Sequence, residues 1–179
     1  MLTLKVPKVT SSSLERELEL LFREHYSMIY RTAYSLLENK ADAEDVPQSL
    51  FLRLLRNGMT PDLQRNAKGY LYRAAVNLSL NMIRKRKRQP IAEDSECLDD
   101  QAEASDSDKA EEIHRRLAEA IAELEPEAAQ ILVLRYVHNY SDSEIAKLMG
   151  TSRGTIAMRL FRSRARLKKL MGDSLGGLE

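Results

Sequence analysis

The segment SDSEIAKLMGTSRGTIAMRLFRSRARLKKL, Ser141–Leu170, decides the reading of this chain. Ser141 followed three residues later by Glu144 has the form of a capping box, in which two orphan helix donors are satisfied reciprocally. It opens a short helix carrying Ile145, Ala146, Leu148 and Met149. Gly150 can take the positive φ required at a helix end, and Thr151 or Ser152 can cap a second helix running to about Met171. A short helix, a glycine turn and a longer basic helix predict a helix-turn-helix. At ~100° per residue, Ile156, Leu160 and Leu167 of the second helix share one stripe. Thr155, Met158, Arg159, Arg162 and Arg166 share another, roughly 120° away. Thr151, Ser152 and Arg153 stand at its N-terminus, the end that probes base edges in a major groove.

Charge widens the argument to the rest of the chain. The net charge of +1 conceals three blocks. Arg65–Arg88 and Ile145–Gly172 are basic and contain no acid, and Glu93–Glu112 is acidic with one lysine. Two cationic helical segments separated by an anionic one suit a protein that grips a polyanion at two points. In the first block, Tyr70, Arg73, Asn77, Asn81, Arg84 and Arg88 fall on one helical stripe. Leu71, Ala74, Ala75, Leu78 and Met82 fall on the adjacent stripe and are expected to face the core. Guanidinium groups suit phosphates, amides suit base edges, and an exposed ring suits stacking on an unpaired base.

The composition, rich in Ala, Leu, Glu, Arg and Lys with no tryptophan, predicts an all-α fold. It is expected to be two small helical domains joined by a flexible acidic linker. Residues 1–13 read as a disordered tail, 14–89 as the first domain, 90–111 as the linker, 112–172 as the second domain and 173–179 as a C-terminal tail. Within the first domain, Leu14, Leu18, Leu21, Phe22, Ile29, Ala33 and Leu36 keep helical spacing. Asp42 is expected to cap a second helix carrying Leu50, Phe51, Leu54 and Leu55. Met59–Asn66 reads as a loop, and a third helix spans about Ala67 to Arg88. In the second domain, Ile113, Leu117, Ile121 and Leu124 form one apolar series, and Pro126 starts a further helix.

The same residues exclude other chemistry. One cysteine, Cys97, makes neither an intramolecular disulfide nor a zinc site. His25, His114 and His138 lack ligand spacing, and no phosphate-cradling glycine loop or nucleophile elbow occurs. No metal, no cofactor and no small-molecule substrate are expected. No apolar run is long enough to span a bilayer, and the first residues lack a signal-peptide pattern.

Taken in order, three segments resemble the extracytoplasmic-function group of the sigma-70 family of bacterial RNA polymerase initiation factors. Ala41–Arg56 (ADAEDVPQSLFLRLLR) resembles region 2.2, and Gly69–Arg88 (GYLYRAAVNLSLNMIRKRKR) resembles regions 2.3 and 2.4. Leu124–Leu170 resembles region 4. The resemblance implies a non-enzymatic, cytoplasmic subunit that binds core polymerase, recognises promoter −35 and −10 elements and assists strand opening. It implies that Asp42, Asp45, Gln48, Ser49 and Leu52 dock on the clamp helices of the largest polymerase subunit. Asn66, Lys68, Tyr70, Arg73, Asn77, Asn81, Arg84 and Arg88 would engage the −10 element. Thr151, Ser152, Arg153, Thr155, Met158, Arg159, Arg162 and Arg166 would read the −35 element. Further implied partners are the polymerase flap region and an anti-sigma factor. The chain departs from the family pattern at three places. Pro47, inside the docking helix, is expected to kink or restart it. Asn81 replaces a frequent acid. Ala157 and Met158 replace a basic-plus-serine pair, favouring apolar contact with a thymine methyl or groove-shape readout. The competing reading is a duplex-DNA regulator whose N-terminal domain dimerises or senses a signal. A nucleic-acid enzyme would need metal-binding carboxylates that the basic blocks lack.

Overall fold

A computed structural model describes residues 11–88 and 106–175, which form eight helices and no strands. Helix α1 spans Ser11–Leu37 and buries Leu18, Ile29, Ala33 and Leu36, as the spacing predicts. It stops at Glu38, whose φ of 49° is left-handed. Helix α2 spans Lys40–Asn57, and its cap is Asn39 rather than Asp42. The Asn39 side chain accepts a hydrogen bond from the Asp42 N–H at 3.0 Å, leaving the Asp42 carboxylate to pair with Arg86 of a later helix. Pro47 neither breaks nor restarts α2, which is a single helix with Pro47 buried in it. The missing N–H and the ring act on the carbonyl four residues earlier, that of Ala43. Burial of Val46, Leu50 and Leu54 holds the turn in place nonetheless.

Gly58, at φ 72°, ends α2. The segment expected to be a loop contains α3, Pro61–Arg65, capped by Thr60 and anchored by the fully buried Leu63. Helix α4, Ala67–Arg88, is the centre of the molecule. It packs against α1, α2 and α3 on one side, and on the other against α5 (Asp106–Ala122), α6 (Pro126–Tyr136) and α7 (Asp142–Met149). Being covered from both sides, it buries more than one stripe. Tyr72, Val76, Ser79, Leu80 and Ile83 are buried together with Leu71 and Ala75. Ala74, Leu78 and Met82, expected in the core, are only half-buried.

Asn66 closes the first turn of α4, its Oδ1 accepting from the Gly69 N–H at 2.9 Å. A Cβ at Gly69 would lie 2.6 Å from Asn66 Nδ2, so Gly69→Ala must displace the cap. Loss of an N-terminal cap costs about 0.5–2 kcal/mol. Urea unfolding should show a net loss near the lower end of that range, since alanine regains some helix propensity. A more stable Gly69→Ala variant would show that the cap is dispensable.

Helix α5 begins at Asp106, inside the stretch expected to be linker up to residue 111. Salt bridges from Glu112 to Arg115 and Arg116, and from Arg115 to Glu119, at helical spacing support the next turns of the helix. Ile113 is 56% exposed, and Ala118 and Ala122 take the buried positions instead. The acidic residues 89–105, including Cys97, lie outside the described residues. Helix α7 has the predicted capping box, Ser141 with Glu144, and Gly150 ends it at φ 68°, ψ 36°. Helix α8, Arg153–Leu175, completes the helix-turn-helix.

Candidate nucleic-acid interface

The exposed side of α8 follows from its buried one. Ile156 and Leu160 are at most 2% exposed, and their stripe packs on α6 and α7. Ser152 Oγ accepts from the Thr155 N–H at 3.1 Å and lies 2.9 Å from Thr155 Oγ1, so it caps the recognition helix. Ser152, Arg153, Met158, Arg162 and Arg166 are exposed, while Thr151, Thr155 and Arg159 are half-buried. Arg153, Arg162 and Arg166 have no ion-pair partner among the described residues. Arg159 does: its Nη1 lies 2.5 Å from Glu127 Oε2 of α6. One residue on this face escaped the sequence reading. Phe161 is 73% exposed, one turn beyond Met158 at 55%. A large apolar residue about 140° around the helix from Ile156 was the available signal.

The face of α4 is less open than its sequence suggests. Tyr70 and Arg73 are half-buried, with Tyr70 packed against the core. Asn77 and Asn81 are exposed, and so is Arg88. Four of the eight residues expected there contact the second unit, α5–α8 with their connections. Asn66 Nδ2 donates to Leu148 O at 3.0 Å, and the Lys68 ammonium sits 5.1 Å from the centre of the Tyr140 ring. Asn77 Oδ1 accepts from Gln130 Nε2 at 3.1 Å. Arg84 Nε donates to Ala122 O at 2.8 Å, and its Nη1 donates to Asn81 at 3.2 Å.

On α2, the outward residues Asp45, Gln48 and Ser49 are exposed and Leu52 is 53% exposed, with Leu55 beside them at 39%. Asp42 stands apart, half-buried and paired with Arg86.

His138 joins the two units. Thr32 Oγ1 donates to Met28 O at 2.7 Å, so the His138 Nε2–H, 2.8 Å away, is the donor to that hydroxyl. Burial, with Arg31 and Lys68 nearby, lowers the imidazole to about 4 from an ordinary value of 6.5. The unfolded imidazole therefore takes up a proton that the folded one refuses, so this contribution is present above pH 6.5 and is lost as pH falls towards 4. Thermal unfolding across that range should show a steeper acid loss for the parent chain than for His138→Asn. Parallel profiles would remove His138 as the cause. Among the described residues no three His, Cys, Asp or Glu side chains gather as a metal site would require.

Comparison with known proteins agrees with this geometry. The sigma-70 region 2 family model matches residues 21–89, and the sigma-70 region 4 model matches residues 114–167. The ECF RNA polymerase sigma factor SigW of Bacillus subtilis (strain 168) is 28% identical over 156 residues, which is 81% of this chain and 83% of that one. The ECF RNA polymerase sigma factor SigE of Mycolicibacterium smegmatis is 32% identical over 157 residues, covering 83% of this chain and 59% of the relative. In fold, the chain is similar to CnrH in its complex with the cytosolic domain of CnrY, with a TM-score of 0.50 and 22% identity over 91% of this chain and 92% of that one. With a region 2 helical unit followed by a region 4 helix-turn-helix in one chain, the protein belongs to the sigma-70 family and is an RNA polymerase sigma factor of the extracytoplasmic-function type.

Proposed function

We propose that the three helix faces divide the work of promoter-directed initiation. The observation that carries this reading is α8, whose capped N-terminus and exposed arginines follow the Gly150 turn opposite the buried Ile156 and Leu160. Ser152, Arg153, Met158, Phe161, Arg162 and Arg166 read the −35 duplex, with Met158 and Phe161 offering apolar contact to thymine methyl groups. Arg159 joins them once it leaves Glu127. The α4 face from Asn66 to Arg88 meets the opened −10 strand, where Tyr70 stacks on a base and Arg73, Arg84 and Arg88 neutralise phosphates. Asp45, Gln48, Ser49 and Leu52 of α2 dock on core polymerase, and Asp42 serves chiefly to tie α2 to α4.

The chain supplies binding and strand separation, and the polymerase supplies the chemistry. An anti-sigma factor is a further partner in this reading. No helix among the described residues is long and apolar enough to cross a membrane.

Run-off transcription with core polymerase on a genomic promoter library tests the whole reading. The chain should direct initiation from a defined set of promoters and form no open complex without core. Repression through an operator, without core, would favour a duplex-DNA regulator instead. Within that assay, Tyr70→Ala should abolish permanganate reactivity near −10 while core binding persists. Equal loss of both would place Tyr70 in the fold rather than in melting.

A further inference from the structure

A cavity of about 430 Å³ opens between α1, the start of α4 and the connection from α6 to α7. A space of that size suits a small ligand. Met28 and Arg31 line it from α1, Lys68 from α4, and His138 and Tyr140 from the connection. Its charge is one-sided. Arg31 has no ion-pair partner among the described residues. Lys68 has none either, and its ammonium lies 5.1 Å from the centre of the Tyr140 ring. Glu144, whose carboxylate feels Lys68, already accepts from the Ser141 N–H and hydroxyl at 2.8 and 2.6 Å. Glu24, the acid on the rim, has a side chain 72% exposed to water and lies 4.0 Å from His25.

Two cations without acidic partners leave a positive potential at the cavity, and His138 registers it. After burial, Arg31 and Lys68 are what hold its imidazole down to about 4. Imidazoles resist protonation where nearby positive charge is not compensated.

We propose that this cavity binds a small phosphorylated ligand, with the Arg31 guanidinium and the Lys68 ammonium holding its phosphate group. Ser27 offers a hydroxyl on the same wall as Arg31, and Met28 and Tyr140 offer apolar surface to the rest of the ligand. Charge selects the class. Inorganic phosphate or a phosphomonoester carries about −1.5 to −2 at neutral pH, which matches two unpaired cations. A backbone phosphate of DNA is a diester with a single charge, and its strand runs on at both ends. A cavity walled by α1 and the α6–α7 connection favours the free phosphate group. The site lies beyond the promoter reading, in which Arg31 and His138 take no part.

Titration calorimetry of the full chain with inorganic phosphate, against sodium chloride at matched ionic strength, is the first test. The parent chain should bind one phosphate at neutral pH. Arg31→Gln and Lys68→Gln should each weaken that binding about tenfold, the loss of one charged hydrogen bond. Both positions are exposed, so the variants should keep the parental circular dichroism spectrum. No binding beyond the chloride control, or equal affinity in the parent and Arg31→Gln, would overturn the proposal.

A second readout belongs to this cavity alone. In a proton NMR titration, saturating phosphate should move the His138 imidazole upward. His114, which pairs with Glu38 at 2.8 Å elsewhere on the molecule, should not move. A His138 titration unchanged by phosphate would place the anion outside the cavity and end the assignment. The two sources of phosphate are separated with a single-stranded −10 oligonucleotide that carries no terminal phosphate. Polymerase-bound Arg31→Gln should bind it with parental affinity. A tenfold loss there would give the cavity to backbone phosphates instead of a small ligand.

Discussion

Replacing Tyr72 by alanine should cost the full chain about 3–5 kcal/mol, the range for truncating a large buried aromatic side chain. Tyr72 is completely buried, and its side chain links α4 to Gln130 of the second unit. Its ring meets His138 edge-on, with centroids 5.7 Å apart at 80°, and its hydroxyl donates to Gln130 O. Truncation therefore opens a cavity at the junction of both units and removes a buried hydrogen bond. Tyr72→Phe keeps the volume and should cost only about 1 kcal/mol. Guanidinium unfolding followed by circular dichroism separates the cases. The parent chain should unfold in one transition because its units share a core, and Tyr72→Ala should shift or split that transition. A Tyr72→Ala variant as stable as Tyr72→Phe would mean that the ring contributes nothing to the junction.

Arg162→Ala should weaken binding of a −35 duplex by about 1–3 kcal/mol, or roughly 5- to 150-fold, if the guanidinium reads a base. Arg162 is exposed on the outward stripe of α8 and has no ion-pair partner among the described residues, so it meets DNA with nothing to give up. Arg159, one turn from Thr155, must first leave Glu127, and Arg159→Ala should cost less. Salt dependence decides the mode of contact. A phosphate contact lowers the slope of log affinity against log salt by about one, and weakens all sequences alike. A base contact instead relaxes preference at one position. Unchanged duplex affinity in both variants would take the −35 assignment away from α8.

How much of this was legible depends on how local the physics is. The helix-turn-helix was readable because each of its determinants acts within a few residues. The Ser141–Glu144 box, the left-handed Gly150 and the Ile156–Leu160 stripe need no distant partner. The α2 cap was misassigned because two side chains in one turn could serve, and the choice of Asn39 went with the pairing of Asp42 to Arg86, 44 positions along the chain. The first turns of α5, from Asp106 to residue 111, were read as linker because their acidic composition offers little to bury, and composition alone does not mark where a helix begins.

The sequence by itself determined the all-helical class, the order of the two units, the family and the outward face of α8, since all of these rest on periodicity, capping and motif order. Only the tertiary structure decided what α4 does with its second side. A wheel drawn from sequence gives a helix one core face, because it knows nothing of neighbours beyond the helix. Here the burial of Tyr72, Val76 and Ile83, and the bonds from Asn66, Asn77 and Arg84, place the second unit on that other side. Burial depends on what the rest of the chain brings to a surface, and the basic block that reads as a nucleic-acid grip is, in the folded chain, also the grip that one half of the protein keeps on the other.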